Sequence, residues 1–221
     1  MKFAREGFVA AAVPAGAAVV LGAFFGATVF VGLAAVALAV LLFFRDPERV
    51  IPSDPSALVS PADGRVIAVE EGGKGHRFAP ETTTRISIFM SPLNVHINRM
   101  PFSGTVERIE HKPGLFAGAY RADASEINES NSLLLRTPGG VPVVVVQIAG
   151  WLARRIVCHV QPQARVSRGE RFGLIMFGSR LDVFLPPQVR PSVRVGDRVR
   201  AGSSIVALAA LDGGTDESRK A

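Results

Sequence analysis

The chain has 221 residues, a formal net charge of +6 and one cysteine. Gly7 to Phe44 is a run of 38 residues without a charge, while the chain from Arg45 onward carries 23 of the 25 basic and 18 of the 19 acidic residues. This split excludes a plain soluble protein, the lack of a second long apolar run excludes a polytopic transporter, and the lone Cys158 excludes an internal disulfide framework and multi-cysteine zinc sites.

The basic excess is dispersed, without a block of like charges. Beside an apolar segment it suggests an anionic membrane surface at least as readily as nucleic acid. With one Trp and one Tyr the chain lacks the stacking aromatics of a single-strand binder, and no nucleic-acid partner is expected.

The apolar run is far too long for a secretory signal. As one helix it would reach about 57 Å, against a hydrocarbon core of about 30 Å. One span with a frayed end fits, as do two short spans turning near Gly22–Gly32. Lys2 and Arg5 precede the run and Arg45 and Arg49 follow it. The positive-inside tendency therefore favours a hairpin with both ends in the cytoplasm. Residues 1–44 are read as a membrane anchor, either an N-terminal transmembrane helix or, preferably, a helical hairpin.

Arg45-Asp46-Pro47-Glu48-Arg49, followed by Pro52 and Pro55, is an exit segment and not helix. Beyond it, 17 Gly and 14 Pro divide residues 45–221 into short pieces. The β-branched runs between them predict strands at 65–69, 83–90, 104–109, 132–136, 141–148, 154–160, 172–177, 181–185 and 204–208. Gly139-Gly140 predicts a tight hairpin. Only 117–130 carries a helical period. The expectation is one mainly β (α+β) domain, β-sandwich or barrel-sandwich-like, over residues 45–221. Asp63-Gly64-Arg65-Val66 is echoed by Gly196-Asp197-Arg198-Val199. The second phrase is similar to the hammerhead hairpins of biotinyl and lipoyl carrier domains, but no lysine stands at a hairpin tip. The echo therefore speaks to fold only.

Three phrases frame reactive side chains. Ser60-Pro61-Ala62-Asp63-Gly64 holds an acid, although Asp before Gly also marks an ordinary turn. Ser91-Pro92-Leu93-Asn94-Val95-His96, continuing to Met100-Pro101, holds a histidine between two prolines. Phe177-Gly178-Ser179-Arg180 puts a hydroxyl at a strand end, where Gly-Ser is also a common turn. Ser179, His96 and Asp63 could act as nucleophile, base and orienting acid. The G-x-S-x-G elbow of hydrolases is absent, since position 181 is Leu. His76, His111 and His159 have no comparable setting.

Taken in order, Phe43-Phe44-Arg45-Asp46-Pro47, Ser60-Pro61-Ala62-Asp63-Gly64, Met90-Ser91-Pro92-Leu93-Asn94-Val95-His96, Met100-Pro101, Asn128-Glu129, Ala153-Arg154-Arg155-Ile156 and Gly178-Ser179 resemble the phosphatidylserine decarboxylase proenzymes, in their short bacterial form with an N-terminal membrane segment. Each phrase is weak and the ordered set is specific. The resemblance implies self-cleavage between Gly178 and Ser179 and a covalent pyruvoyl group made from Ser179, with no metal. Decarboxylation of an amino acid needs an electron sink that ordinary side chains do not provide, and a ketone carbonyl that condenses with the substrate amine provides one. It further implies His96 as the base, Asp63 as its orienting partner, phosphatidylserine as substrate, and a heterodimer of chains 1–178 and 179–221 at the cytoplasmic face of a bacterial inner membrane.

Two departures stand out. Relatives often carry a second His three residues after the one matching His96, where this chain has Arg99, which could contact the lipid phosphate or be an exposed structural residue. Relatives also commonly read Leu-Gly-Ser-Thr where this chain reads Phe-Gly-Ser-Arg, so Arg180 would alter the local field. A membrane-anchored β adaptor without chemistry and a membrane-attached serine hydrolase are the alternatives.

Overall fold

The computed structural model describes residues 2–120, 124–151, 155–176 and 178–209, and the chain divides at Phe44 as its composition does. A short strand β1 (Lys2–Phe3) leads into helix α1 (Arg5–Phe25), which turns at Gly26 into α2 (Ala27–Phe43) and then β2 (Arg45–Asp46). β1 and β2 pair antiparallel, Lys2 opposite Asp46 and Phe3 opposite Arg45. The Ala4 amide donates to the Phe44 carbonyl at 3.0 Å. The two helices thus return to their starting point as a hairpin. Phe8, Val9, Val13, Val19, Phe24 and Phe25 are exposed on it. α1 is long and apolar enough to cross a membrane, and α2, at 17 residues, lies at the short end of that range.

The remaining elements are β3 (Ala57–Val59), β4 (Gly64–Glu70), β5 (Thr84–Met90), β6 (Ile97–Arg99), β7 (Gly104–Lys112), α3 (Ala124–Ile127), β8 (Ser130–Arg136), β9 (Pro142–Ile148), β10 (Ile156–Cys158), β11 (Arg165–Val166), β12 (Arg171–Ile175), β13 (Ser179–Leu185), β14 (Val189–Pro191), β15 (Arg198–Val199) and β16 (Ile205–Ala209). The expected mainly β domain is what forms. Each predicted strand is present, with shifted ends. The helical stretch at 117–130 keeps one short helix, α3. Residues 121–123, 152–154 and 177 fall outside the described part, and with them one end of the expected strands 154–160 and 172–177 and an interior portion of the helical stretch 117–130.

An antiparallel eight-stranded sheet, ordered β11-β7-β8-β9-β13-β5-β4-β15, curls around the core. Two three-stranded sheets, β10-β12-β6 and β14-β16-β3, lie against it. The inner-face residues Val66, Ile86, Ile88, Met90, Leu133, Val143, Leu181 and Val183 form one buried cluster with Leu58, Phe172, Ile175, Val189 and Val206 of the smaller sheets. Full burial of each such side chain contributes about 1.5–3 kcal/mol. A second cluster covers the outer face, where Phe78 and Ala79 pack on Leu134, Val144, Val146, Ile148 and Phe184. β13 lies between β9 and β5 and is buried on both faces. This explains its run of apolar residues broken only by Arg180 and Asp182. The two echoing phrases pair with each other, Arg65 opposite Arg198 and Gly64 opposite Val199.

Candidate active site

Ser179 opens β13, its Cα partnered with that of Met90 on β5. Alternation along β13 turns its side chain to the core, with Leu181 and Val183. Ser179 is 0% exposed. Its hydroxyl has no hydrogen-bond partner among the described residues. An orphaned buried hydroxyl costs about 1–3 kcal/mol. It marks a position held for something other than stability.

The residue before it is unusual too. Gly178 sits at φ +66°, in the left-handed region that side chains disfavour. Gly150, just after β9, lies against its carbonyl, and a Cβ on Gly150 would sit 2.1 Å from the Gly178 oxygen. Two glycines thus leave the 178–179 peptide uncrowded.

His96 meets the amide on the other side of Gly178. Pro92 and Asn94 shape the loop between β5 and β6: the Asn94 side-chain oxygen accepts from the Ser91 amide at 2.9 Å and from the Ser91 hydroxyl at 2.8 Å. The Asn94 carbonyl lies 2.9 Å from Nδ1 of His96. A carbonyl can only accept, so Nδ1 carries the proton and Nε2 keeps its lone pair. The Gly178 amide donates to Nε2 at 3.3 Å. The ring is 2% exposed and stacks on Phe43 at 4.3 Å between centroids. Burial, reinforced by the nearby Arg45 charge and opposed by the Asn94 hydrogen bond, lowers the His96 pKa to about 4. The imidazole is therefore neutral at physiological pH and able to accept a proton. Phe43 and Phe44 pack with Val95, Ile97 and Leu174, which fixes the foot of the helical hairpin beside this ring.

The structure thus brings His96, Gly178 and Ser179 together and leaves Asp63 apart. The expected pairing of Asp63 with His96 does not form. Both Asp63 carboxylate oxygens accept from Arg49, at 2.9 and 2.8 Å, and one also accepts from the Ala201 amide at 2.8 Å. Asp63 thereby ties the exit segment to the turn before β16. The acid most available to a buried guanidinium claims it, and the histidine is oriented by a backbone carbonyl instead.

Arg99 departs from its expected surroundings as well. It is 7% exposed, not on the surface, and donates to Asp46 at 2.8 Å, to the Pro47 carbonyl at 3.1 Å and to the Gly169 carbonyl at 3.0 Å. Arg171 holds the other oxygen of Asp46. Arg99 is a brace under the exit segment, its terminal nitrogens taken up by protein acceptors.

Arg180 is neutralised on the spot. Its guanidinium meets Asp182 at 2.6 and 2.9 Å and the Ser87 hydroxyl at 2.9 Å, all buried on the outer face of β13. The other histidines lie elsewhere: His76 beside Phe78 and Phe184, His111 near Glu129, His159 near Glu6. Sequence reasoning missed Asn94 as the orienting group, Gly150, and Phe43 as the wall of the histidine site. Only Gly150 left a signal, an isolated glycine directly after an apolar strand.

Comparison with known proteins identifies the family. The family model described as phosphatidylserine decarboxylase matches residues 36–207. The phosphatidylserine decarboxylase proenzyme of Desulfotalea psychrophila is 48% identical over 166 residues, covering 75% of this chain and 77% of the relative. That of Syntrophus aciditrophicus is 49% identical over 162 residues, covering 73% and 76%. That of Nitrosomonas europaea is 46% identical over 172 residues, covering 78% and 79%. With matches of this extent, the chain belongs to the phosphatidylserine decarboxylase family.

Proposed function

We propose that this chain is a proenzyme that cuts itself between Gly178 and Ser179 and then decarboxylates phosphatidylserine to phosphatidylethanolamine at a membrane surface. The observation that carries the reading is the unpartnered, fully buried Ser179 hydroxyl next to a left-handed glycine whose amide faces His96.

The cleavage chemistry follows from these residues. Nε2 of His96 takes the Ser179 hydroxyl proton. The oxygen attacks the Gly178 carbonyl carbon, and the C–N bond breaks as the C–O bond forms, leaving an ester and a free amine on residue 179. Loss of the Ser179 α-proton expels the Gly178 carboxylate and gives dehydroalanine, which takes up water and releases ammonia. The new N-terminus is then a pyruvoyl group. Gly178 permits the strained geometry of the first step.

The residues present fit that group. A buried position at the head of β13, with glycine backbone on one side and His96 close by, would hold it. When present, it supplies a ketone carbonyl that condenses with a primary amine and takes up the electron pair left by departing carbon dioxide. His96, neutral and dry, holds or returns a proton at the reacting carbon. The apolar hairpin inserts as an anchor with both ends on the cytoplasmic side, since its flanks are basic. It thereby keeps the site at the layer where lipid headgroups lie, and its foot, Phe43, forms the wall of the histidine site.

Denaturing gel electrophoresis and intact mass test the reading. Two chains are expected, 1–178 and 179–221, the smaller blocked to Edman degradation. Ser179→Ala should abolish both processing and decarboxylation. A single uncut chain would sink the proposal, and labelling of uncut Ser179 by a fluorophosphonate would favour a hydrolase.

A further inference from the structure

At the edge of the eight-stranded sheet lies a cleft of about 870 Å³, lined in part by Arg65, Phe89, Ser91, Arg198, Arg200 and Ser203. Its charge arrangement differs from the rest of the sheet. On other strands, Arg85 meets Glu70 at the far end of the β4–β5 ladder, Arg136 meets Glu107, and Arg180 meets Asp182. Here Arg65 on β4 stands directly opposite Arg198 on β15. Side chains in such register have Cβ atoms about 4.5–5.5 Å apart, and like charges so placed destabilise the pair.

Nothing within the described residues offsets this repulsion. Arg65, Arg198 and Arg200 make no side-chain hydrogen bond or ion pair there. Asp63, the acid lining the cleft, is already neutralised by Arg49. The nearby Asp197 carboxylate accepts from the Arg194 amide. Clustered guanidinium groups with serine hydroxyls at the rim match the oxygens of a phosphate.

The position of the cleft identifies the source. Ser91 and Asn94 line it, and the same loop is tied to the foot of the helical hairpin, where Arg45 donates to the Leu93 carbonyl at 2.6 Å. Leu93 itself is 85% exposed. The cleft therefore opens where an inserted hairpin would leave the bilayer, at the level of lipid phosphates. It is also separate from the cleavage site. Arg65 is opposite Phe89, while Ser179 is opposite Met90, so the two sites fall on opposite faces of the sheet.

We propose that this cleft is a second phosphate site, which binds the headgroup of an anionic phospholipid independently of the Ser179 chemistry. The test is calorimetric titration of the full chain, in an uncharged detergent, with dihexanoyl phosphatidylglycerol and separately with inorganic phosphate. The wild type should bind the lipid saturably, and Arg65→Gln with Arg198→Gln should weaken binding at least about tenfold. In phosphate-free buffer the double variant should melt at or above the wild-type temperature, because the repulsion is gone, and the lipid should raise the melting temperature of the wild type only. Ser179→Ala should bind the lipid as the wild type does; loss of binding there would overturn the separation of the two sites. Equal titration of wild type and double variant would overturn the proposal, and inorganic phosphate binding as tightly as the lipid would overturn its lipid source.

Discussion

Gly150 lies against the carbonyl oxygen of Gly178, so close that a methyl group at position 150 would sit 2.1 Å from it. The neighbour is backbone and cannot swing aside. Gly150→Ala must therefore push the 178–179 peptide out of its present place. In the proposed cleavage, charge develops on that same oxygen, and any displacement misaligns the attack. We expect Gly150→Ala to fold with a loss of about 1–3 kcal/mol and to mature at least about a hundredfold more slowly. Intact mass followed over time, beside a thermal melt, checks both. Normal processing in the variant would show that this contact does not position the scissile bond.

The His96 site predicts a pH dependence with a definite sign. Its folded-state pKa is lowered to about 4 from an ordinary 6.5. As pH falls below 6.5 the unfolded chain takes up a proton that the folded chain refuses. Stability is therefore full above 6.5, falls between 6.5 and 4, and loses nothing more from this group below 4. The whole loss is about 3 kcal/mol. Urea unfolding of Ser179→Ala with and without His96→Asn, from pH 4 to 7.5, isolates the contribution. His76, whose pKa burial also lowers to about 4, acts alike in both and cancels. Identical pH slopes in the two proteins would contradict the buried neutral state. Maturation itself should be nearly flat from pH 8 down to 5, since the base stays unprotonated across that range.

Asp63 offers a sharp contrast. Its carboxylate pairs with Arg49 and the Ala201 amide, so Asp63→Asn and Arg49→Gln should behave alike. Each should cost about 1.5–3 kcal/mol, the loss of a partly buried charge-assisted bond. Neither should change the shape of the pH–maturation profile, because neither group reaches His96. A profile altered by Asp63→Asn but not by Arg49→Gln would restore Asp63 as the partner of the histidine.

These residues also show what a sequence can and cannot display. The eight longer strands are legible because β-branched runs end at Gly and Pro, and the three-residue β10 is read only inside a longer run. β3, β6, β11, β14 and β15 are two or three residues long, too short for any alternation to register. Gly178, Ser179 and His96 stand out within their phrases. The Arg49–Asp63 pair does not, because Arg49 lies 14 residues away in an exit segment where a basic residue reads as a membrane flank. The carbonyl of Asn94 leaves no trace at all, since every residue has one.

Arg180 and Asp182 are buried together just after the Gly178–Ser179 peptide, at 2% and 0% exposure. Removing one charge strands the other. Arg180→Leu and Asp182→Asn should each destabilise by about 3–5 kcal/mol, while the double variant should recover much of that loss. Denaturant unfolding of the four members of the cycle measures the coupling. Additive single effects would mean that the pair is not the unit that neutralises Arg180.

Cleavage at the proposed site would leave the two pieces interlocked. Residues from Ser179 onward supply β13, β14, β15 and β16, and β13 is hydrogen-bonded on both sides, to β9 and to β5. Leu181, Val183 and Leu185 are fully buried in the core shared with the larger piece. Separating the pieces would open four ladders, β13–β9, β13–β5, β15–β4 and β16–β3, and the core at once, so dissociation is equivalent to unfolding. Cut protein should therefore elute as one species in native size exclusion at any dilution, and the small chain should be released only in the denaturant range where tryptophan and circular dichroism signals collapse together. Leu181→Ala should lower that midpoint in step with a loss of about 2–5 kcal/mol. Release of the small chain below the unfolding transition would mean that β13 is not held as the central strand of the mature protein.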